Sequence, residues 1–151
     1  MTTLHKILSA CDSTQYATSA GQKMHSRLQR VFIDGDNSSG DPEIVNKIKS
    51  VPGLASFFSA KSRTELPIAG TINGRFISRR IDRVTIDNSA KRISILDYKT
   101  DRDCNAYHSK YVFQIHEYAR LLQTIYPGYK IDCYILWTHD FLLENIPLKS
   151  L

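Results

Sequence analysis

The sequence of 151 residues predicts an α/β fold built on a mixed sheet. Two observations lead there. Between Arg63 and Thr100, three strand-like runs separated by turn signals make an antiparallel meander. A long stretch of helical periodicity follows, and then another apolar strand. Helix, three strands, helix, strand is the order of a mixed α/β sheet rather than of a sandwich or a bundle.

Residues 1 to 20 are weakly patterned, with a short helix through Leu4, Ile7 and Leu8 and then a Ser/Thr-rich link; the stretch is a flexible or accessory segment of a single domain spanning 1–151. From Gly21 to Ile33, Met24, Leu28, Val31 and Phe32 fall at i, i+4, i+7 and i+8, the stripe of an amphipathic helix. His25 lies beside that stripe. Asp34 to Gly40 reads as an exposed loop. Asp41 as N-cap, Pro42 at the first helical position and Glu43 in the first turn open a second helix through Ile44, Val45 and Ile48, which Pro52-Gly53 breaks. Leu54 to Ala60, with Phe57 and Phe58, is a further helical turn or two packing on the sheet.

The first strand, Arg63 to Gly70, carries Glu65 and Pro67; the proline assigns it to an edge or a bulge, because proline cannot donate to the ladder. Asn73-Gly74 is a hairpin turn. The second strand runs through Asp82, a polar turn lies around Asp87 to Ala90, and the third strand ends in Asp97 and Lys99. The rest of the chain then covers one face of this meander. His108 to Tyr126 is the clearest helix, with Val112, Ile115, Ala119, Leu122 and Ile125 at helical spacing and Pro127-Gly128 as its stop. Ile131 to Trp137 and Phe141 to Pro147 are the closing strands.

Composition narrows the function. With 42% hydrophobic and 23% charged residues the chain is an ordinary globular protein, and no run approaches the roughly 20 apolar residues that cross a bilayer. The start lacks the apolar block of a signal peptide, so a cytoplasmic location is expected. Cys11, Cys104 and Cys133 are odd in number and scattered, which disfavours a zinc site, an iron–sulfur cluster and a disulfide framework. No Gly-x-x-x-x-Gly-Lys-Ser/Thr occurs, so the chain has no ATP-binding P-loop. A formal charge of +5, with its arginines and lysines crowded between Arg75 and Lys110, is compatible with a phosphate backbone as partner.

The chemistry concentrates at the ends of the second and third strands. Side chains two apart share a face, so Asp97 and Lys99 point together, with Ile93 and Ile95, while Leu96 and Tyr98 point away. Charges at the end of a buried strand are costly unless they are paired or bound to a metal. Taken alone, Asp-x-Lys is most often a structural ion pair, His25 a hydrogen-bonded core histidine, Gln114 a surface residue and Tyr118 a packing residue. Phosphodiester hydrolysis, however, requires a held divalent cation, a positioned water and relief of the charge that builds on phosphate. Asp82 and Asp97 on neighbouring strands are hard oxygen ligands suited to share Mg²⁺ or Mn²⁺. Lys99 is placed to orient the attacking water or to neutralise phosphate oxygens.

Glu65, Ile81-Asp82-Arg83, Leu96-Asp97-Tyr98-Lys99-Thr100 and Gln114-x-x-x-Tyr118, in this order, resemble the signature of the PD-(D/E)XK nuclease superfamily. The block from Glu65 to Pro147 is similar in particular to the C-terminal nuclease domain of RecB-like, AddA-type helicase–nuclease subunits, and Gly21-x-x-x-His25 resembles that family's helix histidine. The resemblance covers about four-fifths of the chain.

It implies a restriction-endonuclease-like core and a Mg²⁺-dependent deoxyribonuclease, with Mn²⁺ able to substitute, that acts in double-strand-break end processing and recombinational repair. It assigns catalysis to Asp82, Asp97, Lys99 and Glu65. Metal binding goes to His25, Asp82, Asp97 and the carbonyl of Tyr98, and DNA contact to Gln114 and Tyr118, with Arg80 and Arg83 as nearby arginines that hold the strand. The full-length relatives add a helicase motor and an AddB-type partner subunit, and this chain carries no motor motif. The rival readings are a catalytically idle DNA-binding or subunit-docking domain of the same fold, and a stand-alone exonuclease of a phage or mobile element.

Overall fold

The computed structural model describes residues 19–101 and 106–148. The expected short helix through Leu4 to Leu8 lies outside the described residues, as does the middle of the loop from Asp101 to Tyr107. Helix α1 (Ser19–Gln29) leads into a small hairpin of β1 (Phe32–Asp34) and β2 (Asn37–Ser39), then α2 (Pro42–Ser50) and a single 3-10 turn (Ala55–Phe58). A five-stranded sheet follows: β3 (Arg63–Ile72), β4 (Arg75–Asp87), β5 (Arg92–Lys99), helix α3 (His108–Ile125), β6 (Lys130–Trp137) and β7 (Leu142–Ile146).

The strands lie in sequence order, β3 to β7, antiparallel except where β6 runs parallel to β5 after the α3 crossover. This is the mixed α/β sheet that the sequence leads one to expect. Several local signals act as anticipated. Asn73 and Gly74 both take positive φ, 51° and 77°, and turn β3 directly into β4 with Ile72 facing Arg75. Asp41 caps α2 by accepting from the Glu43 N–H at 2.9 Å. Asp87 accepts from the Ser89 and Ala90 N–H groups at the next turn. Strand β3 is an edge, which leaves Pro67 no ladder bond to forfeit on its outer side.

Two expectations are corrected. Helix α1 stops at Gln29, not Ile33, and Phe32–Asp34 pairs with Asn37–Ser39, so the predicted loop 34–40 is a hairpin turned by Gly35. The helical stripe runs on past the helix end because Val31, which lies beyond it, is buried as well. Gly40, at φ 102°, is pressed against Val31, where an added Cβ would approach the Val31 backbone to 3.1 Å. As expected, the chain after the meander covers one face of the sheet with α3, while α1, α2 and Phe58 cover the other.

On one face α3 lays Ile115, Ala119 and Leu122 over Ile77, Ile81, Ile93 and Ile95. On the other, Leu28 of α1, Ile44 and Ile48 of α2 and Phe58 pack on Leu96, Tyr98 and Leu136. Each fully buried aliphatic side chain contributes about 1.5–3 kcal/mol relative to exposure, so both layers hold the sheet. Two-sided burial also explains why β5 reads as a continuous apolar run before its terminal charges.

Candidate active site

The site forms where the central strands part. Thr64 pairs with Arg83 and Leu66 with Ile81, yet Glu65, between them and facing Asp82 in register, is left out of the ladder with φ 53°. On the other side of β4 the pairing with β5 ends at Arg83–Leu96. Beyond it the Tyr98 N–H donates to the Asp82 carboxylate at 2.8 Å, so a side chain takes over the acceptor's role. Ile81 and Val84, three apart, lie in the same core under α3, so strict alternation slips by one residue at Asp82–Arg83. Positive φ at a glutamate is costly, and such outliers concentrate where a side chain must be aimed.

Asp82 and Asp97 are both buried, at 5% and 2% exposure, and their carboxyls interact directly. Burial first, and the neighbouring Asp97 second, push the Asp82 carboxyl well above the usual carboxylate range, against the lowering effect of the Tyr98 N–H and of Lys99. Two carboxyls this close cannot both ionise without a proton or a cation between them. Lys99 supplies part of that charge. Its Nζ lies 2.8 Å from Asp97 Oδ2, donates to Gln114 Oε1 at 3.0 Å and rests 4.2 Å from the centre of the Tyr111 ring. The Tyr111 hydroxyl in turn donates to Asp101.

His25 reaches the site from α1, its Nδ1 3.8 Å from Asp82 Oδ1 and its ring edge-on to Tyr98 at 5.5 Å. Burial lowers its pKa, opposed by Asp97 and reinforced by Lys99, which favours the neutral imidazole that a metal ligand must be. Among the described residues no three His, Cys, Asp or Glu side chains stand ready as a metal cage. The donor chemistry nevertheless fits a hard divalent cation: Asp82 and Asp97 bring carboxylate oxygens that a cation would relieve of mutual repulsion, with an imidazole beside them.

No protein-family model and no protein of curated function matches the sequence. Among solved structures, the chain is similar to a candidate exonuclease from Eubacterium rectale, at 14% identity and a TM-score of 0.47, over 99% of this chain and 60% of that one. It is also similar to the protein SSO0001, at 18% identity and a TM-score of 0.49, over 96% of this chain and 61% of that one. The chain thus spans about three-fifths of the length of each.

Of the residues singled out from sequence, the structure brings together His25, Asp82, Asp97, Lys99 and Gln114. Glu65 stands at the rim, 3.8 Å from the exposed Arg80; burial raises its carboxyl pKa, Arg80 opposes this and Asp97 adds to it. Tyr98 serves Asp82 through its N–H, while its side chain points to the opposite face, into the core beneath α1.

Two DNA contacts do not fit. Tyr118, 3% exposed, is packed in the core under α3 and has no surface to offer a strand. Arg83, 1% exposed, is sandwiched between the rings of Phe32 and Phe58. It donates to the Tyr98 hydroxyl, to Ser62 Oγ and to the carbonyls of Leu28, Gln29 and Val31. Its guanidinium therefore caps the end of the helix that carries His25. The slip in alternation at this point leaves Ile81 and Val84 under α3 and turns the Arg83 side chain to the face beneath α1. Tyr111 is the residue that sequence reasoning missed; its signal was its place three residues before Gln114 on one helix.

Proposed function

We propose that this chain is a metal-dependent nuclease domain that hydrolyses DNA phosphodiester bonds. The observation that carries the reading is the buried Asp82–Asp97 pair with the Lys99 ammonium set on it at the point where β4 and β5 part. A structural ion pair would not need a second buried carboxyl whose charge the lysine cannot fully offset.

In this reading Asp82, Asp97 and His25, with the Tyr98 carbonyl, would hold Mg²⁺ or Mn²⁺. Bound there, such an ion polarises a phosphoryl oxygen and acidifies water. The protein's own groups do the rest. The Tyr98 N–H fixes one oxygen of Asp82, so that carboxylate is oriented before any ligand arrives. Gln114 and the Tyr111 ring hold the Lys99 ammonium in one place, where it meets the negative charge that builds on the phosphoryl oxygens or orients the attacking water. Arg80 and Glu65 stand at the rim, the former as a phosphate contact.

The order of motifs from Glu65 to Tyr118 supports placing the domain in the RecB-like, AddA-type branch. There it would act on DNA ends in recombinational repair, in the cytoplasm, with a motor and an AddB-type subunit as partners. The test is incubation with end-labelled single-stranded and duplex DNA in Mg²⁺, Mn²⁺ or chelator. Products that form only with metal support the reading; DNA retained in chelator and never cut by the metal-loaded protein would leave an idle binding domain.

A further inference from the structure

An open cleft of about 690 Å³ lies beside the catalytic pair, lined by Gln22, His25, Ser26 and Gln29 from α1 and by Glu65 and Arg80 from β3 and β4. Its size is that of a pocket for a small ligand rather than for a folded partner. The four α1 residues fall at i, i+3, i+4 and i+7, so they form one stripe along the helix. His25 is the buried member of the stripe, and Gln22 and Ser26 are exposed to solvent.

The charge on the walls is sparse. Arg80 is the one strong cation among the lining residues, its side chain 67% exposed and its Nη1 3.8 Å from Glu65 Oε2. The α1 wall otherwise offers two amides and a hydroxyl, neutral groups that donate and accept. A wall of this kind does not grip a polyanion by charge. It suits the sugar and base edges of a nucleotide whose phosphate is met by a single guanidinium opposite.

We propose that the α1 stripe of Gln22, Ser26 and Gln29, with Arg80 across the cleft, is a nucleotide subsite that positions the residue adjoining the scissile phosphate. The proposal rests on the nuclease reading for the identity of the scissile bond, but binding in the cleft does not. Gln22 and Gln29 add affinity through uniform hydrogen bonds, which hold ground state and transition state alike, so their loss moves KM and leaves kcat in place. Arg80 neutralises one phosphate, so its loss lowers the salt dependence of binding, which the amides do not touch.

The experiment uses the full chain and a short fluorescein-labelled oligothymidine. Affinity is read by anisotropy in chelator at several salt concentrations, and cleavage is read in Mg²⁺. The Gln22→Ala/Gln29→Ala double variant, whose sites are on a helix surface where alanine is well tolerated, is expected to weaken binding and raise KM about tenfold. Its salt slope and kcat stay at the wild-type values. Arg80→Ala is expected to flatten the slope of log affinity against log salt by about 0.7.

If the wild type cleaves and the double variant keeps its KM and affinity, the subsite is refuted and the nuclease reading stands. If the wild type binds without cleaving and the double variant loses affinity, the subsite stands and the nuclease reading falls. A wild type that binds no oligothymidine overturns the subsite, and the nuclease reading then rests on the cleavage test with duplex DNA.

Discussion

Arg83 Nε donates to the Tyr98 hydroxyl at 2.9 Å, and this bond ties the strand bearing Asp82 to the strand bearing Asp97 beneath the helix that bears His25. The same guanidinium holds the carbonyls of Leu28 and Val31, so one side chain fixes three elements that meet at the site.

Replacing it should therefore cost stability first. Arg83→Met leaves the Tyr98 hydroxyl, Ser62 and the end of α1 without their shared donor, a loss of about 3–5 kcal/mol by analogy with broken buried charge networks. At about 2–4 °C per kcal/mol for a chain of this size, the melting temperature should fall by roughly 6–20 °C. Arg83→Lys keeps the charge but loses the planar fork and should recover only part of the difference. A thermal melt unaffected by Arg83→Met would refute the role.

The Asp82 carboxyl gives a pH signature in the metal-free protein. Its folded pKa is raised, so the folded state retains a proton that the unfolded state has released. The stability linked to that proton is complete below the unfolded value of about 3.9 and is lost as pH climbs through the folded value. Relative to Asp82→Asn, the wild type should lose melting temperature as pH rises above the unfolded value of about 3.9. Parallel pH profiles for the two proteins would contradict the carboxyl pair.

Metal should reverse that loss. A cation that binds only the folded state adds about 2.7 kcal/mol at a hundredfold excess over its dissociation constant, or roughly 5–11 °C. Titration with Mg²⁺ or Mn²⁺ in a thermal-shift experiment should show this for the wild type and not for Asp97→Asn. An equal response from both would move the metal elsewhere.

Lys99→Met should lower the cleavage rate by about 10²–10³, the usual cost of a preorganised charge at a developing anion. Gln114→Ala removes one of the contacts that hold the ammonium and should have a smaller effect, on kcat more than on KM. Rates unchanged in Lys99→Met would exclude it from the chemistry.

Much of this was legible in the chain. The Asn73-Gly74 turn, the Asp41 cap and the periodicity of His108–Ile125 are local signals whose physics does not depend on the fold. Asp97 and Lys99 were placed together by strand alternation alone. What escaped was set by tertiary contact. Helix α1 ends at Gln29 with a guanidinium from β4 on its last carbonyls, 54 residues away in sequence. The β1–β2 hairpin was hidden by the short polar partner Asn37–Ser39, although Asp34-Gly35 is a hairpin signal. Arg83 escapes for the same reason: its place beside Asp82 in sequence points to the site, whereas tertiary partners in Tyr98, Ser62 and the end of α1 hold its guanidinium on the other face.

The central claim, that Asp82 and Asp97 form a metal-dependent phosphodiester hydrolysis site, meets its most direct test in one comparison. Cleavage of end-labelled DNA is measured for wild type and for Asp97→Asn, which changes one carboxylate to its isosteric amide, with both proteins shown to be folded by their melts. The wild type is expected to give metal-dependent products and Asp97→Asn none above background. Equal cleavage by the two would contradict it.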